Sequence, residues 1–146
     1  MFLLLHTPDT WVFSDIHWDE GLLGVDSTEI TMPPKWQEFQ DRTSTVTVNG
    51  VDVNHFDEGE GDPLILVHGG GLTSCAALNW GAVIDRFAEH FRVIAPDQPG
   101  FGHTDPRGEV DYYPRERAQF LIELIEEMEL EDVSLAGGSE GSTLVS

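Results

Sequence analysis

The chain is short of cysteine and of basic residues. Cys75 is its only cysteine in 146 residues, so no disulfide can form within the chain and nothing points to an oxidising compartment. Seven Lys and Arg residues stand against 27 Asp and Glu residues, which gives a formal net charge of -20. A charge of this size repels the phosphates of nucleic acids and of anionic lipids, which excludes both as natural partners.

Long apolar runs and targeting signals are lacking too. No stretch approaches the ~18 consecutive apolar residues of a transmembrane helix, and the apolar start at residues 2–5 is too short, and not basic enough, for a signal peptide. We therefore expect a cytoplasmic protein. Because the acidic residues are dispersed along the chain, we also expect a high-salt cytoplasm, where salt screens their mutual repulsion. An ordinary acidic protein of moderate salt is the alternative.

The composition that is present, 40% apolar and 10% aromatic, is typical of a globular domain. Residues 1–43 contain three of the four tryptophans but no sustained period of 2 or 3.6. We predict an irregular leader of unknown fold there, followed by the ordered domain over residues 44–146. The leader either packs its tryptophans on that domain or precedes a true start at Met32.

From residue 44 onward the pattern predicts an α/β fold. Alternating residues at 45–48 and 51–57 flank Asn49-Gly50, the signature of a β-hairpin. A continuous apolar run at 64–67 and the mainly apolar runs at 92–95 and 133–136 predict buried strands. They are separated by a helix capped by Asn79 and a helix that begins near Pro114. This order predicts a parallel sheet with helices on both faces and ligands at the carboxyl ends of its strands.

The last of these strands runs into Gly137-Gly138-Ser139-Glu140-Gly141, a Gly-x-Ser-x-Gly motif. The pattern predicts a nucleophile elbow, in which a one-residue reversal exposes the Ser139 hydroxyl and leaves no room for a Cβ at the flanking glycines. Ser139 is then the candidate nucleophile, and the backbone N–H of Glu140 is a candidate oxyanion-hole donor. The alternative is an ordinary Gly/Ser turn after a buried strand.

A second glycine-rich segment, His68-Gly69-Gly70-Gly71, follows the strand at 64–67. Glycines leave backbone N–H groups unobstructed, so the Gly70 N–H is the candidate second donor of the oxyanion hole. We expect His68, Gly69 and Gly71 to support this loop rather than to react, and Asp97 and Asp105 to accept hydrogen bonds from loop backbone. The acidic residues between 123 and 131 are expected to form a solvated helix face and not a metal site.

Over residues 44–146 the chain resembles the N-terminal half of the α/β-hydrolase superfamily. The resemblance rests on the glycine segment, on Pro99-Gly100-Phe101-Gly102 and on the Ser139 elbow, together with the Arg92-Val-Ile-Ala-Pro-Asp97 run. The glycine loop and the 95–102 segment resemble hydrolases that cleave carbon–carbon bonds in ring-fission products of aromatic degradation. Residues 137–144 are similar to the elbow of prolyl iminopeptidases, which usually have Trp where this chain has Glu140.

Membership would imply a serine hydrolase without cofactor or metal that acts on a small-molecule carbonyl substrate, an ester or a carbon–carbon bond. In that superfamily the triad acid and the histidine follow the serine, yet the seven residues after Ser139 hold no Asp or His and no Glu beyond Glu140. We therefore expect an incomplete α/β-hydrolase sheet, inactive as residues 1–146 alone. The alternatives are a prolyl-iminopeptidase-like aminopeptidase, a non-catalytic binding domain, and a chain that is unfolded alone because its last strand leaves an exposed edge.

Overall fold

One seven-stranded sheet forms the frame of the computed structural model, which describes residues 2–7, 10–15, 38–39, 41–71, 74–106 and 113–146. The strand order is β2-β1-β7-β5-β6-β4-β3. The strands are β1 (Phe2–Thr7), β2 (Thr10–Asp15), β3 (Thr43–Val48), β4 (Val51–Glu58), β5 (Pro63–Val67), β6 (Arg92–Pro96) and β7 (Ser134–Gly137). The helices whose bounds lie within the described residues are α1 (Ala76–Ala88), α2 (Pro114–Glu127) and the single turn α3 (Gly141–Leu144).

The predicted hairpin and parallel strands are confirmed. Strands β3 and β4 pair antiparallel around Asn49 and Gly50, whose φ angles of 49° and 81° are those of a type I′ turn. Strand β5 lies between β6 and β7 and pairs parallel with both. The carboxyl ends of these three strands therefore share one edge of the sheet.

The sheet is covered by helices on both faces, as predicted. Alternate residues of β5 point to opposite sides, so Leu64 and Leu66 pack with helix α1 while Ile65 and Val67 pack with helices α2 and α3. All four side chains are buried. A strand that is apolar on both faces explains the continuous hydrophobic run in its sequence.

The start of helix α1 differs from the prediction. The N-cap is Cys75, which makes no side-chain capping bond, and Asn79 lies within the first turn. The acceptor is supplied by the loop after β6 instead, because Asp97 Oδ1 accepts a hydrogen bond from the Ala76 N–H at 2.7 Å. A carboxylate at a helix N-terminus satisfies an otherwise free donor, so Asp97 replaces the predicted cap.

Two strands occur in the segment for which no regular structure was predicted. Strands β1 and β2 pair antiparallel, from Phe2 opposite Asp15 to Thr7 opposite Thr10, and β1 also pairs antiparallel with β7. Residues 2–5 are uniformly apolar and show no alternation, and residues 8–9 between the strands are not an Asn-Gly or Asp-Gly pair. The β7 edge that was expected to be exposed is paired with β1. The domain boundary near residue 44 stays a prediction.

No helix among the described residues has the length and apolar character that a membrane crossing needs. Within the same residues, no group of three or more His, Cys, Asp or Glu side chains converges as a metal site would require.

Candidate active site

Three loops meet at the carboxyl edge of the parallel strands. They are the glycine segment after β5, the loop that begins with Asp97 after β6, and the turn that carries Ser139 after β7. The convergence follows from the parallel pairing of β5 with β6 and β7. Such an edge is where open α/β sheets bind their ligands.

Ser139 has the strained backbone that an elbow requires. Its φ is 55°, a left-handed value that costs a non-glycine residue energy and is typically retained at functional sites. The flanking glycines are steric necessities: a Cβ on Gly137 would collide with the backbone of Gly141 and Ser142, and one on Gly141 would collide with the Val67 and His68 carbonyls. The reversal leaves Ser139 exposed at the sheet edge.

The glycine segment lies directly against Ser139. A Cβ on Gly69 would stand 3.3 Å from Ser139 Cβ and 3.7 Å from its Oγ, so the two backbones are nearly in contact. Among the described residues, neither the Gly70 N–H nor the Glu140 N–H donates to another protein group. Both candidate oxyanion donors are thus unpaired beside the serine.

His68 is fully buried beneath this loop and both of its ring nitrogens are engaged. Nε2 accepts a hydrogen bond from the Gln98 N–H at 3.0 Å, so the proton lies on Nδ1, which donates to the Gly69 carbonyl at 2.7 Å. Burial lowers the pKa of His68, which keeps the ring neutral. Its contacts are those of a loop support, not of a base for Ser139.

Arg117 of helix α2 lies at the candidate site, although the sequence did not single it out. Its side chain is only 6% exposed and passes under the glycine segment, where Nε donates to Gln98 Oε1 at 2.7 Å and Nη2 lies 3.5 Å from the Gly69 carbonyl. The guanidinium stands over the Phe101 ring at 5.3 Å, and Nη1 lies 3.3 Å from Glu140 Oε2. Burial lowers the pKa of Arg117, although Glu140 opposes that shift.

The fully buried Gln98 joins Arg117 to His68. Its amide nitrogen donates to the His68 carbonyl at 2.9 Å while its amide oxygen accepts from Arg117. A signal for Arg117 exists in the sequence, because it falls in helical register with the buried Leu121 and Leu124. No comparable signal marks Gln98, which lies in a loop.

Asp97 acts as the predicted loop-fixing acceptor. Its carboxylate accepts hydrogen bonds from Asn54 Nδ2, the Ala76 N–H and the His103 N–H at 2.7 to 3.0 Å. A Cβ on Gly102 would collide with the same carboxylate. Asp97 therefore positions the loop and is not available to orient a catalytic histidine.

Ser139 Oγ has no hydrogen-bond partner within the part of the chain that the structure describes. The described residues thus bring together the candidate nucleophile and the two candidate oxyanion donors but place no acid and base on the serine. The chain spans about a third of the length of the curated relatives it matches.

Comparison with known proteins agrees with this geometry. The chain is 37% identical over 99 residues to a 2-hydroxy-6-oxo-2,4-heptadienoate hydrolase of Pseudomonas putida, which covers 68% of this chain and 36% of that protein. It is 38% identical over 97 residues to a 2-hydroxy-6-oxo-6-(2'-aminophenyl)hexa-2,4-dienoic acid hydrolase of Metapseudomonas resinovorans, covering 66% of this chain and 33% of that protein.

A solved structure is similar as well. It is a serine hydrolase involved in carbazole degradation, which matches with a TM-score of 0.65 and 36% identity over 70% of this chain and 40% of its own. The family model described as alpha/beta hydrolase fold matches residues 62–146, which include the glycine segment, Asp97 and Ser139. The chain belongs to the α/β-hydrolase fold family and is related to the hydrolases of ring-fission products.

Proposed function

We propose that the protein carrying this chain is a serine hydrolase that cleaves a carbon–carbon bond in a small carbonyl compound of the ring-fission type. Ser139 is the nucleophile, and the N–H groups of Gly70 and Glu140 form the oxyanion hole. The observation that carries the proposal is the strained Ser139 at the tip of the elbow, directly against the glycine segment. No cofactor or metal is needed for this chemistry.

The proposed reaction begins when Ser139 Oγ attacks the substrate carbonyl carbon. The two N–H donors then stabilise the negative oxygen, in a site where they are already oriented before the reaction begins. The bond to the adjacent carbon breaks with its electron pair on the departing group, which takes up a proton, and water then releases the acyl group from Ser139. A 2-hydroxy-dienoic acid is a suitable substrate once the proton of its 2-hydroxyl has moved to C5, because the carbanion that then departs at C5 is delocalised as a dienolate onto the new 2-oxo group.

Activation of Ser139 needs a base, since an unassisted serine hydroxyl is a weak nucleophile. His68 is not that base, because both of its nitrogens are occupied in the loop. We propose that the acid and the base lie outside residues 1–146 and that these residues alone are inactive. The partner is then a small-molecule substrate and neither nucleic acid nor membrane, in a cytoplasmic protein of unknown oligomeric state.

Relatives that act on hydroxy-oxo-dienoic acids support the carbon–carbon reaction over the prolyl-iminopeptidase alternative. An ester substrate fits the same attack at a carbonyl and stays the second candidate, since a pimeloyl-[acyl-carrier protein] methyl ester esterase of Aliivibrio fischeri is 34% identical over 55 residues. A non-catalytic binding domain would use the same cleft without a reactive serine.

Turnover by the protein carrying this chain tests the proposal. We expect the dienoate absorbance to fall when a 2-hydroxy-6-oxo-hexa-2,4-dienoate is the substrate. Release of nitrophenol from a nitrophenyl ester should be slower, and a proline arylamide should release no arylamine. Ser139→Ala should abolish turnover, whereas Ser146→Ala, which changes an exposed serine beyond the next helical turn, should retain it. Faster release from the proline arylamide would favour the aminopeptidase, and equal activity of the two variants would refute the role of Ser139.

A further inference from the structure

The Gly70 N–H belongs to the same peptide group as the Gly69 carbonyl. A peptide group is planar and trans, so its carbonyl and its N–H point in opposite directions and can only turn together. Any group that holds the Gly69 carbonyl therefore sets the direction of the Gly70 N–H, a candidate oxyanion donor. His68 Nδ1 donates to this carbonyl at 2.7 Å, and Arg117 Nη2 lies 3.5 Å from it.

Arg117 also contacts the residue that carries the other candidate donor. Its Nη1 lies 3.3 Å from Glu140 Oε2, and the same oxygen occupies the space that a Cβ on Gly70 would fill. The Cβ direction of a residue differs from its N–H direction, so the Glu140 side chain covers Gly70 and leaves its N–H open. Within the described residues no protein group accepts a hydrogen bond from the Gly70 N–H.

Buried contacts fix the Arg117 side chain. Nε donates to Oε1 of the fully buried Gln98 at 2.7 Å, the guanidinium stands 5.3 Å from the centre of the Phe101 ring, and the side chain is 6% exposed. A guanidinium presents its N–H donors in fixed directions, so Nη2 and Nη1 can hold the Gly69 carbonyl and Glu140 at a set spacing. The single ammonium of a lysine could not do so.

We propose that Arg117 is a positioning residue that bridges the two halves of the oxyanion hole and fixes the distance between the N–H groups of Gly70 and Glu140. The inference rests on the proposed function, because it assigns these N–H groups to a developing negative charge. Arg117 acts through the Gly69 carbonyl and the Glu140 side chain and does not touch the substrate. Its charge beside the Gly69 carbonyl also polarises the peptide group, which makes the Gly70 N–H a stronger donor.

Steady-state hydrolysis of a nitrophenyl ester by the protein carrying this chain tests the proposal, with active sites counted from the end point of fluorophosphonate labelling. Oriented donors stabilise the transition state more than the bound substrate, so their misalignment should lower kcat and leave KM unchanged. Arg117→Met should lower kcat about 10–100-fold with KM within about twofold, and Arg117→Lys should not restore kcat. Arg115→Met, at an exposed position of the same helix, should keep the wild-type kcat.

Glu140 provides a test that does not depend on the stability of the Arg117 variants, because its side chain is 44% exposed. Glu140→Ala removes one end of the bridge and should lower kcat about fivefold. Glu140→Gln keeps an acceptor for Arg117 Nη1 and should stay within about twofold of the wild type. Glu116→Gln makes the same change of net charge at an exposed position and should also stay within about twofold.

A higher KM with unchanged kcat in Arg117→Met, or a wild-type kcat in Arg117→Lys, would overturn the proposal. An unchanged kcat in Glu140→Ala would also overturn it. So would a rise of kcat in both Glu140 variants, which would show that the carboxylate only opposes the negative charge of the transition state. Failure of the proposed function gives a different result, because Ser139→Ala would then hydrolyse the ester at the wild-type rate. Failure of the Arg117 bridge alone leaves Ser139→Ala inactive.

Discussion

Replacing Arg117 by Met should destabilise the folded protein by about 2 kcal/mol. The substitution leaves the fully buried Gln98 Oε1 without the donor that lies 2.7 Å away. An unsatisfied buried acceptor costs roughly 1–3 kcal/mol. Loss of the half-exposed ion pair with Glu140 adds at most about 1 kcal/mol. The variant no longer pays the desolvation penalty of a buried guanidinium, which offsets part of this sum.

Urea denaturation of the protein carrying this chain measures the effect as a change of midpoint at constant m. In a domain of this size the melting temperature should fall by about 4–8 °C. Arg115→Met removes the same charge from an exposed position of helix α2 and should change stability by less than about 0.5 kcal/mol. Equal stabilities of the two variants would show that the network from Arg117 through Gln98 to His68 does not hold the glycine segment.

Three further predictions concern the elbow, the buried histidine and the surface charge. Gly137→Ala should cost about 3 kcal/mol or more because its Cβ collides with backbone, while Gly71→Ala, which meets only Ser74 Oγ at 3.5 Å, should cost little in the same denaturation assay. Burial lowers the pKa of His68 in the folded state, so near and below pH ~6.5 the unfolded chain binds more protons than the folded chain does. The free energy of unfolding should therefore fall on acidification, by up to about 1.4 kcal/mol per pH unit. His68→Gln should flatten this part of the stability–pH profile, whereas His90→Gln, which changes an exposed histidine, should not. Equal slopes in the two variants would refute the role of His68 in the acid destabilisation. The melting temperature should rise from low salt to molar KCl, and equal values would contradict the high-salt hypothesis for a chain of net charge -20.

Local sequence patterns predict the structure correctly where it depends on the backbone preferences of a short segment. The Asn49-Gly50 turn and the Pro114 helix start were predicted because each depends on the backbone preferences of one or two residues. The steric need for glycine at 137 and 141 follows from the reversal at Ser139. These features and the order of the strands define the edge where the site lies.

Contacts between segments that are distant in the sequence could not be predicted from local sequence patterns. Asn79 was assigned as a helix cap by its residue type, but the cap comes from Asp97, which is distant in sequence and is brought close by the sheet. Arg117 was overlooked because a charged residue near a helix N-terminus is normally solvated, and only the packing of α2 against the glycine segment buries it. Strand β1 pairs with β7 through backbone hydrogen bonds, which depend little on the sequence of either strand.

Labelling with a fluorophosphonate, followed by peptide mass mapping, shows whether Ser139 is an activated nucleophile. We predict a rapid single adduct on Ser139 in the protein carrying this chain, no adduct in Ser139→Ala, and only slow labelling of residues 1–146 alone. An adduct on another residue, or labelling that persists at the same rate in Ser139→Ala, would contradict it.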